Sequence, residues 1–323
     1  VLAILCPGQG SQTPGFLTPW LELPEFRSRL ESLSDVAGID LVAHGTTSDA
    51  ETIKDTAVAQ PLIVAAGLAT ASVLLPQGPA AAGVSAVAGH SVGEITAAAL
   101  AGVLGDHDAM VFVRERGAGM AAASAVTPTG MSAVLGGDPQ EVLAVLERHG
   151  LTPANANGAG QTVAAGTLEQ LQALAADPPA KARVIPLQVA GAFHTSHMAP
   201  AVDALRELSA DFDVSDPGVT LLSNADGAAV GDGADALSRL VAQVSNPVRW
   251  DRCMQTLVDL GVTAVLELAP AGTLVGLAKR GMPGVATLGV KSPDDLEAAR
   301  TLLREHGGDP AGAPTSPTDA QEA

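Results

Sequence analysis

Residues 84–94 read VSAVAGHSVGE, and the architecture can be worked out from this run. Val84–Ala88 is a short apolar segment of strand length. Gly89-His90-Ser91-Val92-Gly93 is a G-x-S-x-G, and a helix-like stretch follows from Glu94 to about Leu100. Strand, tight glycine turn and helix together form the context a nucleophile elbow requires. The glycines allow a sharp turn that lifts Ser91 above the sheet edge. The helix N-terminus beneath it offers backbone donors and a positive dipole end to an oxyanion.

Outward from the elbow, apolar strand-like runs alternate with helical ones. Val1–Leu5 reads as a buried strand stopped by Pro7-Gly8, and Trp20–Leu33 as a mixed helix. Thr56–Leu75 reads as a helix broken at Pro61. Its apolar part, 61–75, is bracketed by prolines and is shorter than the roughly 20 residues a membrane span needs. Ala109–Ala123 continues as helix and carries Arg114 and Arg116. Strand–helix alternation of this kind predicts an α/β fold with a mostly parallel sheet.

The pattern changes between 127 and 187. Met131–Leu135, Pro139–Arg148, Thr152–Ala156, Thr162–Ala165, Leu168–Ala176 and Arg183–Val189 give the order β-α-β-β-α-β. That is the ferredoxin-like split unit, about sixty residues long, inserted into the larger fold. Alternation then resumes: helices at Met198–Leu208, Ala234–Val244, Trp250–Leu260, Thr273–Arg280 and Asp294–Arg304, strands at Val219–Ser223, Ala264–Leu268 and Val285–Leu288. The expected organisation is a discontinuous large subdomain (1–126 and 188–304), the insert at 127–187, and a disordered Pro/Gly/Ala/Thr-rich tail at 305–323.

The composition excludes several functions. There are 35 acidic against 17 basic side chains, a formal net charge of −18, and only 2% aromatic residues. Such a chain repels a phosphate backbone and offers few rings for bases to stack on, so no nucleic-acid partner is expected. Two cysteines form no disulfide framework and point to a reducing, cytoplasmic setting. The N-terminal VLAIL lacks a basic n-region, so neither a signal peptide nor a membrane partner is expected.

A serine needs a base to attack at neutral pH. Of the seven histidines, His194 and His197 follow a strand and precede a helix, which puts them at a sheet edge where ligands bind in open α/β folds. His90 adjoins Ser91 on the sharp turn and points away, into a packing or hydrogen-bonding role. His194-x-x-His197 lacks a third ligand, so no metal is expected. Gly8-Gln9-Gly10-Ser11-Gln12 lacks the features of a phosphate loop, yet at a strand's end it can present a backbone N–H to an oxyanion.

PGQGSQ at 7–12, AQP at 59–61, GHSVGE at 89–94, Arg116-Gly117, NANGAGQTVAAG at 155–166, AFH at 192–194 and NPVRW at 246–250 occur in an order that resembles malonyl-CoA:acyl carrier protein transacylases. The likeness runs to about residue 304. It implies an α/β-hydrolase-like large subdomain with a ferredoxin-like insert, and a cytoplasmic enzyme with no cofactor beyond its coenzyme A thioester substrate. It implies Ser91 as acyl-accepting nucleophile and His194 as general base and acid. A backbone carbonyl of the Asn246–Trp250 segment, Arg249 above all, is expected to orient the imidazole. The N–H groups of Gln9 and Val92 resemble an oxyanion hole. Arg116 resembles the arginine that grips a malonyl carboxylate, with Arg114 its in-sequence competitor. Phe193, before the histidine, goes with malonyl rather than methylmalonyl in related domains, though Gly191 departs from the usual pattern.

The activity so implied is malonyl transfer from malonyl-CoA to an acyl carrier protein by a ping-pong route, serving fatty acid or polyketide synthesis, by a monomer. Three alternatives stay open: a transacylase for another extender unit, an esterase or thioesterase sharing the elbow, and a carrier-protein docking module with a relic site. The net charge opposes every anionic partner, so local cations must do the recruiting, with Lys181, Arg183, Lys279 and Arg280 as candidates.

Overall fold

The computed structural model describes residues 1–308. Ten strands form two sheets: β1 (Leu2–Cys6), β2 (Val84–Gly89), β3 (Thr129–Gly136), β4 (Thr152–Gly158), β5 (Gln161–Thr167), β6 (Ala182–Pro186), β7 (Thr220–Leu222), β8 (Ala229–Val230), β9 (Ala264–Glu267) and β10 (Ala286–Gly289). The larger sheet has the order β10-β9-β1-β2-β7-β8. Its first five strands run parallel and only β8 pairs antiparallel, at one edge. β1 is buried at every residue, which explains its unbroken apolar run: a central parallel strand is covered on both faces and needs no polar alternation. The two-residue β8 carries too short a pattern to show in the sequence.

The smaller sheet has the order β4-β5-β3-β6, with antiparallel neighbours throughout. Helices Pro139–Arg148 and Leu168–Ala176 complete the β-α-β-β-α-β order and share a core of their own with Val134, Val142, Leu146 and Leu174. Asp138 caps the first helix. A Thr167–Gln170 capping box starts the second. The β4 edge meets the segment before helix Trp250–Asp259. Ala156 donates its N–H to Val248 O, and Val248 donates to Ala154 O.

Some expectations need correction. Pro61 does not break its helix, which runs unbroken from Thr56 to Leu74. One lost backbone hydrogen bond is outweighed by packing, because nearly every side chain beyond Val58 is buried in the core. The same helix is long and apolar enough to cross a membrane, but its apolar surface is spent inside the protein. The final helix, Leu296–His306, extends past the expected tail start at 305. The remainder of that tail, 309–323, lies outside the described residues.

Candidate active site

The parallel strands β1, β2 and β9 deliver their C-terminal ends to one rim, where the loop after Cys6 and the turn after Gly89 lie side by side. Ser91 sits at the tip of that turn with φ 54°, in the left-handed region. For a non-glycine residue such strain costs roughly 1–3 kcal/mol and persists where the surroundings over-determine it. The flanking glycines show what does so. A Cβ on Gly89 would stand 2.0 Å from the Gly93 carbonyl carbon, and one on Gly93 would stand 2.1 Å from Cys6 O. Only glycine lets strand, turn and helix approach this closely.

Ser91 Oγ lies 2.7 Å from Nε2 of His194. His194 is also in the left-handed region, with φ 60°. Its Nδ1 lies 2.8 Å from the carbonyl oxygen of Gln243. A carbonyl can only accept, so Nδ1 carries the proton and Nε2 is free to take one from serine. Burial pushes the imidazole pKa down to about 3, helped by the positive charge of Arg116 and opposed by the Gln243 backbone. The ring is therefore a neutral base across the physiological range.

This geometry corrects the expected orienting residue. The Arg249 carbonyl accepts the N–H groups of Arg252 and Cys253 at the start of helix Trp250–Asp259, and its side chain pairs with Asp251. Gln243 ends helix Gly233–Gln243, so its carbonyl is one of the acceptors a helix C-terminus leaves open. Asn246 donates its N–H to that carbonyl, and its own backbone interacts with the imidazole more weakly.

Arg116 is almost wholly buried, on helix Asp106–Ser124. Its Nη1 donates to Gln60 Oε1 at 2.6 Å and its Nη2 to Gln243 Oε1 at 2.7 Å. Nη2 also stands 3.4 Å from Ser91 Oγ. Among the described residues no carboxylate forms an ion pair with it, so two neutral amides hold the cation. Burial lowers its pKa to about 10, which leaves it charged at neutral pH. Arg114 is exposed and donates to Val36 O, away from Ser91.

Glu94 lies one helical turn beyond Ser91. It accepts the Asn224 N–H at 2.6 Å and bonds the Gln243 side chain. Burial pushes its carboxyl up to about 7, against hydrogen bonds from Asn224 and Gln243 and the charge of Arg116. Asn224 in turn accepts the Ser91 N–H at 2.8 Å and donates to Gly89 O at 2.7 Å, pinning the elbow. His90 points away from Ser91, as expected. Its Nε2 meets Asn157 Oδ1 at 2.8 Å, tying the elbow to β4, and its ring packs edge-on to Trp250.

Ser91 and His194 open into a cavity of about 210 Å³, lined also by Gln9, Gln60, Asn155, Phe193 and Leu277 among others. The backbone N–H groups of Gln9 and Val92 have no protein acceptor among the described residues. His197 lies in the short turn Ser196–Met198, and its N–H is capped by Thr195. A wider depression of about 650 Å³ sits at the opposite ends of the strands, without a titratable side chain in its lining. Gln243, Asn224 and the roles of Gln60 and Glu94 escaped the sequence reading. AQP and GHSVGE flagged the last two, but nothing local flags Gln243 or Asn224.

Residues 4–311 match the family described as acyl transferase domain. The chain is 54% identical over 302 residues to the malonyl CoA-acyl carrier protein transacylase of Mycobacterium tuberculosis, covering 94% of this chain and 100% of that one. A crystal structure of the Mycobacterium tuberculosis protein superposes with TM-score 0.89 at 54% identity, over 93% of this chain and 99% of that chain. A further neighbour is a malonyl-transacylase solved in complex with a type II PKS acyl carrier protein. It has TM-score 0.86 and 29% identity, over 93% and 99% of the two chains.

Proposed function

The chain belongs to the malonyl CoA-acyl carrier protein transacylase family of acyltransferases, and from that premise we propose that it moves a malonyl group from malonyl-CoA to a carrier protein through an ester on Ser91. The carrying observation is the buried Arg116 cation, ion-paired with no carboxylate among the described residues, beside a paired Ser91 and His194. A nucleophile and base alone would serve any acyl transfer or hydrolysis. A cation held by neutral amides beside them favours an acyl group that brings its own carboxylate.

In this mechanism Ser91 Oγ attacks the thioester carbonyl while Nε2 of His194 takes its proton. The oxyanion rests on the N–H groups of Gln9 and Val92. The C–S bond breaks, and coenzyme A leaves as a thiol with the proton from His194. The carrier's phosphopantetheine thiol then gives its proton to His194 and attacks the ester, and the reverse collapse frees Ser91. Arg116 grips the malonyl carboxylate throughout, through planar N–H donors that lysine cannot match. The Gln243 carbonyl fixes the tautomer and stabilises the transient imidazolium, the part an Asp plays in a triad. Phe193 fills the wall where an α-methyl would sit. The acceptor serves fatty acid synthesis in this reading.

The dyad and the arginine need no residue from a second copy, and action as a monomer is part of this reading. Cys6 and Cys253 are free and buried, and burial raises both thiol pKa values, which fits a reducing, cytoplasmic setting. Carrier docking is assigned to the cavity mouth. Helix Thr273–Gly281 lines the cavity at one end and carries Lys279 and Arg280 at the other, and Arg280 reaches Gln161 on the cavity wall.

Intact-mass analysis with malonyl-CoA tests the proposal. The expected result is a malonyl adduct that persists, is absent in Ser91→Ala, and is discharged by a phosphopantetheinylated carrier protein. Steady release of malonate without acceptor would mark a thioesterase instead.

A further inference from the structure

Resting on the malonyl-transfer reading, we propose that Glu94 is a positioning residue that fixes the amide orientation of Gln243, and through it the guanidinium of Arg116, so setting the preference for acyl groups with a free carboxylate. Glu94 is 5% exposed and touches no part of the cavity. Its Oε1 accepts the backbone N–H of Asn224, a donor that cannot move without moving the elbow. Its Oε2 accepts Nε2 of Gln243. The second hydrogen of that amide goes to Ser91 O at 2.9 Å. Both donors are thus spent, and Gln243 Oε1 is the only atom left to face Arg116, at 2.7 Å.

Gln60, on the other side of the guanidinium, has no such guarantee. Among the described residues its Nε2 reaches only the Met120 sulfur, at 3.4 Å, a weak acceptor. Arg116 is therefore oriented mainly from the Gln243 side. Gln243 also gives its backbone carbonyl to His194. One residue joins the base to the clamp, and an acceptor-only carboxylate decides which way it faces.

Glu94→Gln isolates this role because it keeps shape and removes one acceptor. The Asn224 N–H holds the new carbonyl oxygen, so the new NH2 faces Gln243. Two donors then oppose each other, and Gln243 relieves the clash only by turning its NH2 toward Arg116 and its oxygen toward Ser91 O. Either outcome displaces the guanidinium. Gln243→Met withdraws the same acceptor from Arg116 directly and keeps the backbone carbonyl for His194.

The test is the rate of Ser91 acylation by malonyl-CoA and by acetyl-CoA at pH 8, where the Glu94 carboxyl is ionised. Wild type, Glu94→Gln, Gln243→Met and the double variant are compared. The malonyl-to-acetyl ratio is expected to fall about tenfold or more in each single variant. It should fall no further in the double variant, because Glu94 acts only through Gln243. An unchanged ratio in Gln243→Met overturns the inference even if Glu94→Gln does not fold. So does a ratio that drops again when Glu94→Gln is added to Gln243→Met. Wild type that forms no malonyl ester sinks the functional reading and this one together. A normal wild type with indifferent variants sinks this one alone.

Discussion

Replacing Arg116 by alanine separates recognition from chemistry. Two of its N–H groups are spent on Gln60 and Gln243, and the longer 3.4 Å contact to Ser91 Oγ can yield to an incoming carboxylate. The guanidinium can then give malonyl two charge-assisted bonds. Each such bond is worth about 1.5–3 kcal/mol, or about 3–6 kcal/mol for the pair. At about 1.4 kcal/mol per decade, malonyl-CoA acylation of Ser91 should fall by about 10² to 10⁴. Acetyl-CoA makes neither bond and should lose far less. Arg116→Lys keeps the charge but not the fork, so a smaller loss is expected. The assay is single-turnover acylation of Ser91 by each thioester, read by intact mass, with thermal melts to check folding. The alanine variant also orphans the Gln60 and Gln243 amide oxygens, which costs stability without touching the ratio. If malonyl and acetyl rates fall by the same factor, Arg116 maintains the site and does not select the acyl group.

The two buried titratable groups make opposite demands on pH. His194 has its pKa lowered from 6.5 to about 3, so between those values only the unfolded chain protonates it and stability falls as pH falls. Glu94 has its pKa raised from 4.5 to about 7, so there the folded chain holds the extra proton and stability falls as pH rises. Between pH 4.5 and 6.5 the two slopes, about 1.4 kcal/mol per pH unit each, offset one another. Chemical denaturation across that window should therefore steepen in opposite senses for His194→Gln and Glu94→Gln, and parallel curves would contradict the assignment. Gly93→Ala drives a Cβ into Cys6 O, and a loss at or beyond the upper end of the roughly 1–3 kcal/mol of overpacking is expected, together with loss of acylation. A melt equal to wild type would show that the elbow tolerates side chains. Phe193→Ala should raise methylmalonyl-CoA use relative to malonyl-CoA by no more than the roughly 1–3 kcal/mol one methyl is worth, and an unchanged preference in competition assays would remove Phe193 from specificity.

Local patterns carried much of this protein into view from its sequence. The glycine spacing around Ser91 encodes a turn that only glycine permits, and alternating apolar runs encode a parallel sheet. The β-α-β-β-α-β order marks the insert, because period and turn chemistry act over a few residues. The same local pattern narrowed the base to His194 or His197, between a strand and a helix, and the resemblance carried by AFH at 192–194 pointed to His194. The rest was settled across long separations. Which carbonyl meets the imidazole depends on where helix Gly233–Gln243 ends after packing, 49 residues from His194, and that is Gln243 and not Arg249. The tie from Glu94 to Gln243 spans 149 residues, and the grip of Gln60 on Arg116 spans 56. Periodicity tells an element which face to bury. It does not say which donor on another element will be waiting there, and in this site the donors and acceptors are matched only after the helices have docked.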